Sequence, residues 1–295
     1  MMYDLVVVGA GAGGCYAAIR LAEFHPNVKI CILEAARHPL SKVEISGGGR
    51  CNVTHACFDP EVLSSYYPRG GQEMLEPFRR FQPADLIEWF EKKKIKLKIE
   101  EDGRMFPVTD SSKTIVDCFL NEIKKSKIDL FSSTRAVSWN FEGSEWIIKL
   151  FDGRTLFSKC LLIASGSDQR TWDALKQSGH QLISPVPSLF TFNILDKNLR
   201  ELMGISKSFV QLKIPSFQLH SSGPLLITHW GLSGPAILKL SAWGARELYK
   251  SGYVFDLHVN WLAMNDAASF PGYMKSLLNE NPKKQIINLA VKDFP

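Results

Sequence analysis

A cluster of glycines near the N-terminus carries the clearest chemical signal in this sequence. Gly9, Gly11 and Gly14 occupy the fixed positions of a G-x-G-x-x-G pattern. The first glycine of this pattern permits a tight turn, the second lets backbone approach a pyrophosphate, and the third lets a helix close on a strand. Glu34 follows about 20 residues later, where a carboxylate can accept a hydrogen bond from a ribose hydroxyl. These residues predict a dinucleotide site, and they suit FAD and NAD equally.

A second glycine-rich stretch, Ser46–Gly49, leads directly into an arginine. Backbone N–H groups of such a loop can lie close to an anionic ligand. We therefore predict that this second glycine segment also binds the cofactor, with a flexible surface loop as the alternative. A further candidate follows a later apolar strand at Ser165-Gly166. The additional candidate cofactor residues are Gly48, Gly49, Arg50, Asn52 and Gly166.

Other reactive side chains give weaker signals. Cys51 could act as a nucleophile, although a lone cysteine is more often a small buried apolar residue. The stretch His229–Pro235 predicts a helix start whose free N–H groups attract an anion or a carbonyl oxygen, or else an ordinary capped helix with His229 packed. The order and spacing of the remaining residues indicate no Ser/His/Asp set and no carboxylate pair. The catalytic residues therefore stay unknown from the sequence.

The elements around the first glycines predict a βαβ unit. Asp4–Val8 and Val28–Leu33 are short apolar runs typical of strands buried in a parallel sheet, and Cys15–Phe24 has the apolar spacing of a helix. Further helices are predicted at Pro83–Lys94 and Ser112–Lys125. Between them, these elements predict an α/β fold in which the glycines turn from strand into helix.

The second half of the chain predicts mainly β structure. A meander is expected over residues 130–164, with a hairpin turn at Asp152-Gly153. Pro185 and Pro187 predict a boundary, which divides the chain into a dinucleotide-binding domain (1–187), assigned to FAD by the resemblance given below, and a β-rich domain (188–295). Beyond it, strands are predicted at Phe209–Ile214, Leu225–Thr228 and Val254–Val259, with one helix from Pro235 to about Tyr249.

Composition narrows the class of protein. The 295 residues are 45% hydrophobic and 22% charged, which is typical of a globular chain of one large or two medium domains. The net charge of +5 is mild. The densest basic run contains Lys92, Lys93, Lys94, Lys96 and Lys98, and glutamates lie on either side of it. We interpret this run as a solvated helix end, with weak nucleic-acid contact as the alternative.

Cysteine spacing and hydropathy bear on location and metal binding. The six cysteines form no C-x-x-C pair, so neither a zinc site nor a thioredoxin-type couple is predicted, and no metal is expected. No apolar run approaches the roughly 18 residues that span a bilayer. Asp4 and the early glycines do not fit a signal peptide. These features predict a cytoplasmic protein without membrane contact.

Three longer blocks resemble one known family. Lys42–Thr54, Gly103–Asp110 and Thr228–Leu238 are similar to the signatures of the BaiN-like flavoproteins, also called the aminoacetone oxidase family. The resemblance implies a Rossmann-type FAD domain with an inserted β-rich domain, and bound FAD reduced by NAD(P)H. It also implies reduction of carbon–carbon double bonds beside carbonyls, in steroid-like molecules or in a uracil ring of ribosomal RNA.

Two departures from the family pattern shape the expectations. Ala164–Arg170 differs from the usual strand end, and the chain stops at Pro295 where the family continues to a final glycine-rich segment. We therefore expect the second domain to be incomplete. The predicted function is reduction of an activated double bond in a small molecule or an RNA base. The alternatives are a flavin oxidase of small amines or carbonyl compounds and a non-catalytic RNA-associated protein with a vestigial FAD site.

Overall fold

The computed structural model describes residues 2–262 and 269–285, which divide into two compact units, 1–183 and 184–295. The predicted boundary at Pro185–Pro187 lies beside this division, and the two-domain assignment itself stays a prediction. The strands of the first unit are β1 (Met2–Val8), β2 (Ile30–Leu33), β3 (Thr54–His55), β4 (Leu97–Ile99), β5 (Arg104–Pro107), β6 (Asp129–Phe131), β7 (Ala136–Glu142), β8 (Glu145–Leu150) and β9 (Thr155–Ile163). Its helices are α1 (Ala12–Phe24), α2 (Ser41–Gly49), α3 (Pro60–Ser65), α4 (Gly71–Arg80), α5 (Pro83–Lys92), α6 (Ser112–Lys125) and α7 (Gln169–Gln177).

A six-stranded sheet forms the centre of the first unit, in the order β6-β2-β1-β9-β8-β7. Strands β6, β2, β1 and β9 pair in parallel. Strands β9, β8 and β7 form the predicted antiparallel meander. In β1, Val6 lies opposite Cys31 on one side and Leu161 on the other. This arrangement is a Rossmann-type sheet, with β1 in the middle and its carboxyl end at the first glycines.

From Leu5 to Val8, strand β1 is apolar because both faces of the sheet are covered there. Val7 packs into a core shared with helices α1, α5 and α6, where Ile19, Phe90 and Phe119 are buried. Val6 lies in a second core, formed with the meander. A continuous β-branched run is therefore the pattern that this position requires.

A cluster of charged side chains connects the helices on one face of the sheet. Lys93 Nζ lies 2.5 Å from Glu23 Oε1 of α1 and 2.6 Å from Glu122 Oε2 of α6. The indole of Trp89 also donates to Glu23, at 3.2 Å. The lysine side chain is only 16% exposed, so the prediction of a fully solvated lysine run is wrong for Lys93. Its charge is neutralised by carboxylates on two other helices, a pairing that sequence spacing does not reveal.

A small antiparallel sheet, in the order β3-β5-β4, supports the second glycine segment. Phe106 of β5 is fully buried. The guanidinium of Arg50 lies over the Phe106 ring, 4.0 Å from its centroid. Residues immediately after the glycines are therefore held by this sheet.

The second unit contains an antiparallel sheet in the order β10-β13-β12-β11-β14. Its elements are β10 (Phe192–Asn193), α8 (Lys197–Glu201), β11 (Ser206–Ile214), a 3-10 turn (Pro215–Phe217), β12 (Leu219–Thr228), β13 (Gly231–Ser233), α9 (Pro235–Trp243), α10 (Ala245–Lys250), β14 (His258–Asn260) and α11 (Ser269–Glu280). Helix α9 covers one face, where Ile237 and Leu240 are buried against Val210, Leu212 and Ile227.

Two predictions for this unit are wrong in detail. The strand predicted at Val254–Val259 is confined to His258–Asn260, which pairs with β11. The single helix predicted from Pro235 to about Tyr249 is two helices, α9 and α10, which meet at Gly244. A Cβ at Gly244 would lie 2.4 Å from Leu219 Cδ1, so close packing explains the glycine there.

Among the described residues, no helix combines the length and the apolar character that crossing a bilayer requires.

Candidate functional site

The first glycine segment, Gly9–Gly14, turns the chain from β1 directly into α1. Helix α1 begins at Ala12, inside the segment, and Gly11 is its N-cap with extended backbone. No side chain caps this end. The first N–H groups of an α-helix have no partner within the helix, and the helix dipole favours negative charge there. The segment therefore presents donors to an anion at the carboxyl end of β1.

Each glycine of the pattern has its own surroundings. A Cβ at Gly9 would lie 2.5 Å from Ala164 O, and one at Gly14 would lie 2.1 Å from Gly9 O. A Cβ at Gly11, by contrast, would meet no atom within 4 Å. Gly9 and Gly14 are thus required for close packing of strand, turn and helix. The open space beside Gly11 fits a bound pyrophosphate, which is the contact the second glycine of the pattern makes.

Glu34 lies just beyond the carboxyl end of β2, as predicted, and is held by the first glycine segment. Its Oε2 accepts from the Ala10 N–H at 2.8 Å, and its Oε1 accepts from the Ala36 N–H at 2.8 Å. An ionised carboxylate can accept about four hydrogen bonds. Two backbone donors therefore fix its orientation and leave acceptor capacity for ribose hydroxyls.

Two cavities of the first unit adjoin this turn. The smaller has a volume of about 370 Å³, and its lining includes Gly9, Glu34, Lys42, Arg135, Ser167 and Asp168. The larger has a volume of about 570 Å³ and a mainly apolar lining that includes Tyr16, Phe81, Phe90 and Phe119. Gly11, Ser46, Asn52 and Gly166 form a more polar part of it. The glycine turn therefore lines two cavities, one with several charged side chains and one that is mainly apolar.

An ion pair forms part of the smaller cavity. Asp168 caps α7 by accepting from the Thr171 N–H at 3.0 Å, and it also accepts from Arg135 Nη1 at 3.0 Å. Burial acts to raise the pKa of Asp168, but the hydrogen bonds from Thr171 and Arg135 outweigh it and lower the pKa. The carboxylate therefore stays charged and paired. Asp168 belongs to the stretch that departs from the family pattern.

The larger cavity contains one polar group that lacks a protein partner. The hydroxyl of Tyr16 is inaccessible to solvent and has no hydrogen-bond partner within the described parts of the chain. Burial raises the pKa of Tyr16, which keeps its hydroxyl protonated and able to donate. Burial also raises the pKa of Cys51, a second lining residue. A protonated, buried thiol is a poor nucleophile, so the structure favours the packing role for Cys51.

The second glycine segment forms the end of α2, where the backbone leaves the helical conformation. Gly47, Gly48 and Gly49 have positive φ values of 56°, 69° and 82°. A Cβ at Gly47 would lie 2.6 Å from Asn52 N, whereas one at Gly48 or Gly49 would meet nothing within 4 Å. Three left-handed residues in a row require glycine for the backbone path alone.

The predicted cofactor residues near this segment have different surroundings. Arg50 Nη1 lies 2.5 Å from Glu100 Oε1 and 3.5 Å from Asp110 Oδ1. Neither cavity lining includes Arg50, Gly48 or Gly49, whereas Asn52 and Gly166 line the larger cavity. The structure thus brings Asn52 and Gly166 together with Gly11, and places Arg50 in a network of carboxylates.

Several lining residues escaped the sequence reasoning. Lys42 lines both cavities, and Arg135 and Asp168 meet in the smaller one. These side chains come from three separate stretches of the chain, so no spacing rule joins them. The sequence signal for Lys42 is that it is the first residue of the family block Lys42–Thr54.

The predicted anion site in the second unit is a bare helix start. Helix α9 begins at Pro235 with Gly234 as its N-cap, and no side chain caps it. His229 is exposed, and its ring lies 4.0 Å from that of Trp230. The role of this helix start near a cofactor stays a prediction.

Comparison with known proteins identifies the family. The sequence profile of the HI0933-like protein Rossmann domain matches residues 3–261. The chain belongs to the HI0933-like family. This confirms the predicted family and the Rossmann-like FAD-binding fold, and it makes the chain a flavoprotein of the oxidoreductase class.

Two curated proteins align with nearly the whole of this HI0933-like chain. The 3-dehydro-bile acid delta(4,6)-reductase of Clostridium scindens is 22% identical over 304 residues, covering 100% of this chain and 73% of the relative. A ribosomal RNA dihydrouridine synthase of Escherichia coli is 26% identical over 312 residues, covering 99% of this chain and 71% of the relative. Both are distant relatives of the HI0933-like chain.

Among solved structures, quinol fumarate reductase FrdA from E. coli is similar to the HI0933-like chain with a TM-score of 0.49 and 15% identity. The alignment covers 70% of this chain and 43% of the reductase chain.

Proposed function

We propose that this protein is an FAD-dependent reductase that takes hydride from NAD(P)H and delivers it to a carbon–carbon double bond activated by a carbonyl group. The observation that carries the proposal is that the glycines of the first segment differ in their surroundings. Gly9 and Gly14 are packed against backbone, while the space beside Gly11 is open. A turn that served packing alone would not need a glycine at position 11, because the φ of Gly11 is −84° and any residue can adopt it.

The residues around the glycine turn suit the two halves of FAD. Glu34 would accept from the ribose of the adenosine half in the smaller cavity, and the α1 N-terminus at Gly11 would face the pyrophosphate. Asn52 and Gly166 would lie beside the flavin half in the larger cavity. Bound FAD would supply a ring that accepts and donates hydride. The protein would hold the cofactor in place and, through apolar side chains such as Phe119, exclude water.

The chemistry of the acceptor is proposed from the relatives. One is named as a reductase of 3-dehydro-bile acids, and the other as a synthase of dihydrouridine, which is uridine with its ring double bond reduced. Both names describe addition of hydrogen to a double bond conjugated with a carbonyl. The two relatives share this type of reaction and differ in substrate. We therefore propose the reaction type for this protein, and its substrate is either a small molecule or an RNA base.

Cofactor binding is tested with a matched pair of carboxylate variants. Purified protein is mixed with FAD and passed through a gel-filtration column, and bound flavin is measured by its absorbance. Glu34→Gln should weaken FAD binding by about 1–3 kcal/mol, the scale of a hydrogen bond to a charged group. Glu44→Gln is the control, because Glu44 is exposed and lines neither of the two cavities. Equal FAD affinity in both variants would remove Glu34 from the site.

The reaction is tested on the FAD-loaded protein under anaerobic conditions. NADH or NADPH should bleach the flavin absorbance, and an α,β-unsaturated ketone should restore it. Restoration by oxygen alone, with peroxide release, would instead identify the oxidase. FAD that NADH and NADPH both fail to reduce would overturn the reductase proposal. Binding of RNA that weakens steeply with salt, in a protein that retains no FAD, would identify the RNA-associated alternative.

A further inference from the structure

We propose that Lys42 is the side chain that binds the pyrophosphate of FAD, and that Ser167 only orients it. This inference rests on the proposed FAD site and assigns to it a cation that the glycine pattern does not contain. Lys42 is the one residue shared by the linings of the two cavities. Gly9 and Glu34 line the smaller, and Gly11 lines the larger. The pyrophosphate joins the adenosine and flavin halves of FAD, so it must pass where the two cavities meet.

The backbone attaches the start of α2, which carries Lys42, directly to the glycine turn. The Leu40 N–H donates to Ala10 O at 2.8 Å. Leu40 is the N-cap of α2 and has a left-handed backbone, with φ at 60°. Such a conformation is unfavourable for a residue other than glycine. Leu40 is also buried, so the start of α2 is fixed beside the turn by both a hydrogen bond and packing.

The side chain of Lys42 reaches from α2 to the loop that follows β9. Its Nζ donates to Ser167 Oγ at 2.8 Å, and a Cβ at Gly166 would lie 3.5 Å from the same nitrogen. Gly9 itself packs against Ala164 and Ser165 at the end of β9. The ammonium group is thereby held beside Ser167, which lines the smaller cavity, and Gly166, which lines the larger.

The positive charge of Lys42 is not paired with a carboxylate among the described residues. Its partner is a neutral hydroxyl, and over residues 2–262 and 269–285 no carboxylate lies within ion-pair distance of its Nζ. The nearby carboxylates are engaged elsewhere: Glu34 accepts from two backbone N–H groups, and Asp168 pairs with Arg135. A pyrophosphate carries two negative charges. Lys42 can therefore pair with it without breaking an ion pair of the protein.

The test compares four variants by their affinity for ADP and FAD, measured by titration calorimetry at several salt concentrations. Lys42→Gln should weaken both ligands by about 10- to 100-fold, as expected for a lost hydrogen bond between charged groups, and it should reduce the dependence of ADP binding on salt. Lys42→Arg should bind ADP within a few-fold of the parent. Ser167→Ala should also stay within a few-fold, since the pyrophosphate replaces the hydroxyl as partner. Lys113→Gln, an exposed lysine of α6, is the control and should change nothing.

The outcomes separate this inference from the proposal on which it rests. A parent protein that binds neither FAD nor ADP would overturn both. Parent-like ADP and FAD affinity in Lys42→Gln would overturn the role of Lys42 and leave the FAD site intact. A loss in Ser167→Ala as large as that in Lys42→Gln would also overturn it, because the lysine would then act through its bond to Ser167. Thermal unfolding of each variant shows whether a loss reflects binding or folding.

Discussion

The two glycine segments of the first unit look alike in sequence and differ in structure. In Gly9–Gly14 the φ of Gly11 is ordinary, and its neighbours Gly9 and Gly14 are packed against backbone. In Ser46–Gly49 the three glycines all have left-handed backbone, and only Gly47 is closely packed. The first segment therefore needs glycine for space at three points and for its backbone at Gly9, where φ is 109°, whereas the second needs it mainly for the direction of its backbone.

The charged residues beside the two segments, Arg50 and Glu34, also differ in what holds them. A glycine loop followed by Arg50 predicts an anion site, yet the guanidinium pairs with Glu100 and Asp110 and lies over Phe106. The acidic residue beside the first segment, Glu34 at the end of β2, instead accepts from the Ala10 N–H of the turn itself. Two features therefore distinguish one glycine-rich segment from another: the atoms that a Cβ would meet at each glycine, and the groups that already bind the neighbouring charged residue.

The largest expected effect is at the most closely packed glycine of the first segment. Gly14→Ala places a Cβ 2.1 Å from Gly9 O, a backbone atom that cannot move without shifting β1 from α1. We expect destabilisation of about 1–3 kcal/mol or more, seen as a lower unfolding temperature. Gly13→Ala is the control, because a Cβ there meets nothing within 4 Å. Equal stability of the two variants would contradict the packing role of Gly14.

Gly11→Val should separate ligand binding from folding. The extended backbone of Gly11 accommodates valine, and the space beside it is open, so the variant should fold normally. The side chain would fill the space proposed for the pyrophosphate, and bound FAD should be lost. Flavin absorbance after gel filtration, together with circular dichroism, measures both. Retained flavin in a folded variant would place the pyrophosphate elsewhere.

A pair of alanine variants tests the second segment. Gly48→Ala should cost about 1–2 kcal/mol, because alanine must adopt a left-handed conformation but meets no atom. Gly47→Ala should cost more, since its Cβ would also lie 2.6 Å from Asn52 N and 2.9 Å from Phe106 Cε1. Urea unfolding of both variants measures the difference. A greater loss of stability for Gly48→Ala would contradict the close packing of Gly47 and the open space beside Gly48.

Arg50→Gln is expected to have the smallest effect, and it concerns pH. The pKa of Asp110 is lowered most by the hydrogen bond from Lys98, against an opposing effect of burial, and Arg50 lowers it further. Stability from this carboxylate is present above its unfolded pKa and is lost as pH falls through the lowered folded value. Removing Arg50 should raise the pKa of Asp110, so less stability is lost in acid.

NMR titration of the Asp110 carboxyl measures that shift, and thermal unfolding between pH 2 and 6 measures its effect on stability. FAD binding at neutral pH should be unchanged in Arg50→Gln. Loss of FAD with an unaltered Asp110 pKa would return Arg50 to the cofactor site.

Regular elements were predicted well where a local pattern is strong. The strand-turn-helix at the N-terminus, helix Ser112–Lys125 and the meander around Asp152-Gly153 are all present. The failures lie where packing between distant residues decides the outcome. The predicted helix divides at Gly244, where a Cβ would lie 2.4 Å from Leu219 Cδ1. Lys93 is largely buried because Glu23 and Glu122 approach from other helices.

By itself, the sequence determined that β1 turns through glycines into a helix beside an acidic residue, because glycine spacing and apolar runs act over a few neighbouring residues. The two cavities, the place of Lys42 in the linings of both and the pairing of Arg50 with Glu100 were decided only by the tertiary structure. The cavities and the place of Lys42 depend on residues that meet once the parallel strands have paired and their carboxyl ends lie at one edge of the sheet. Arg50 and Glu100 are also far apart in the chain, and they meet beside the small antiparallel sheet β3-β5-β4.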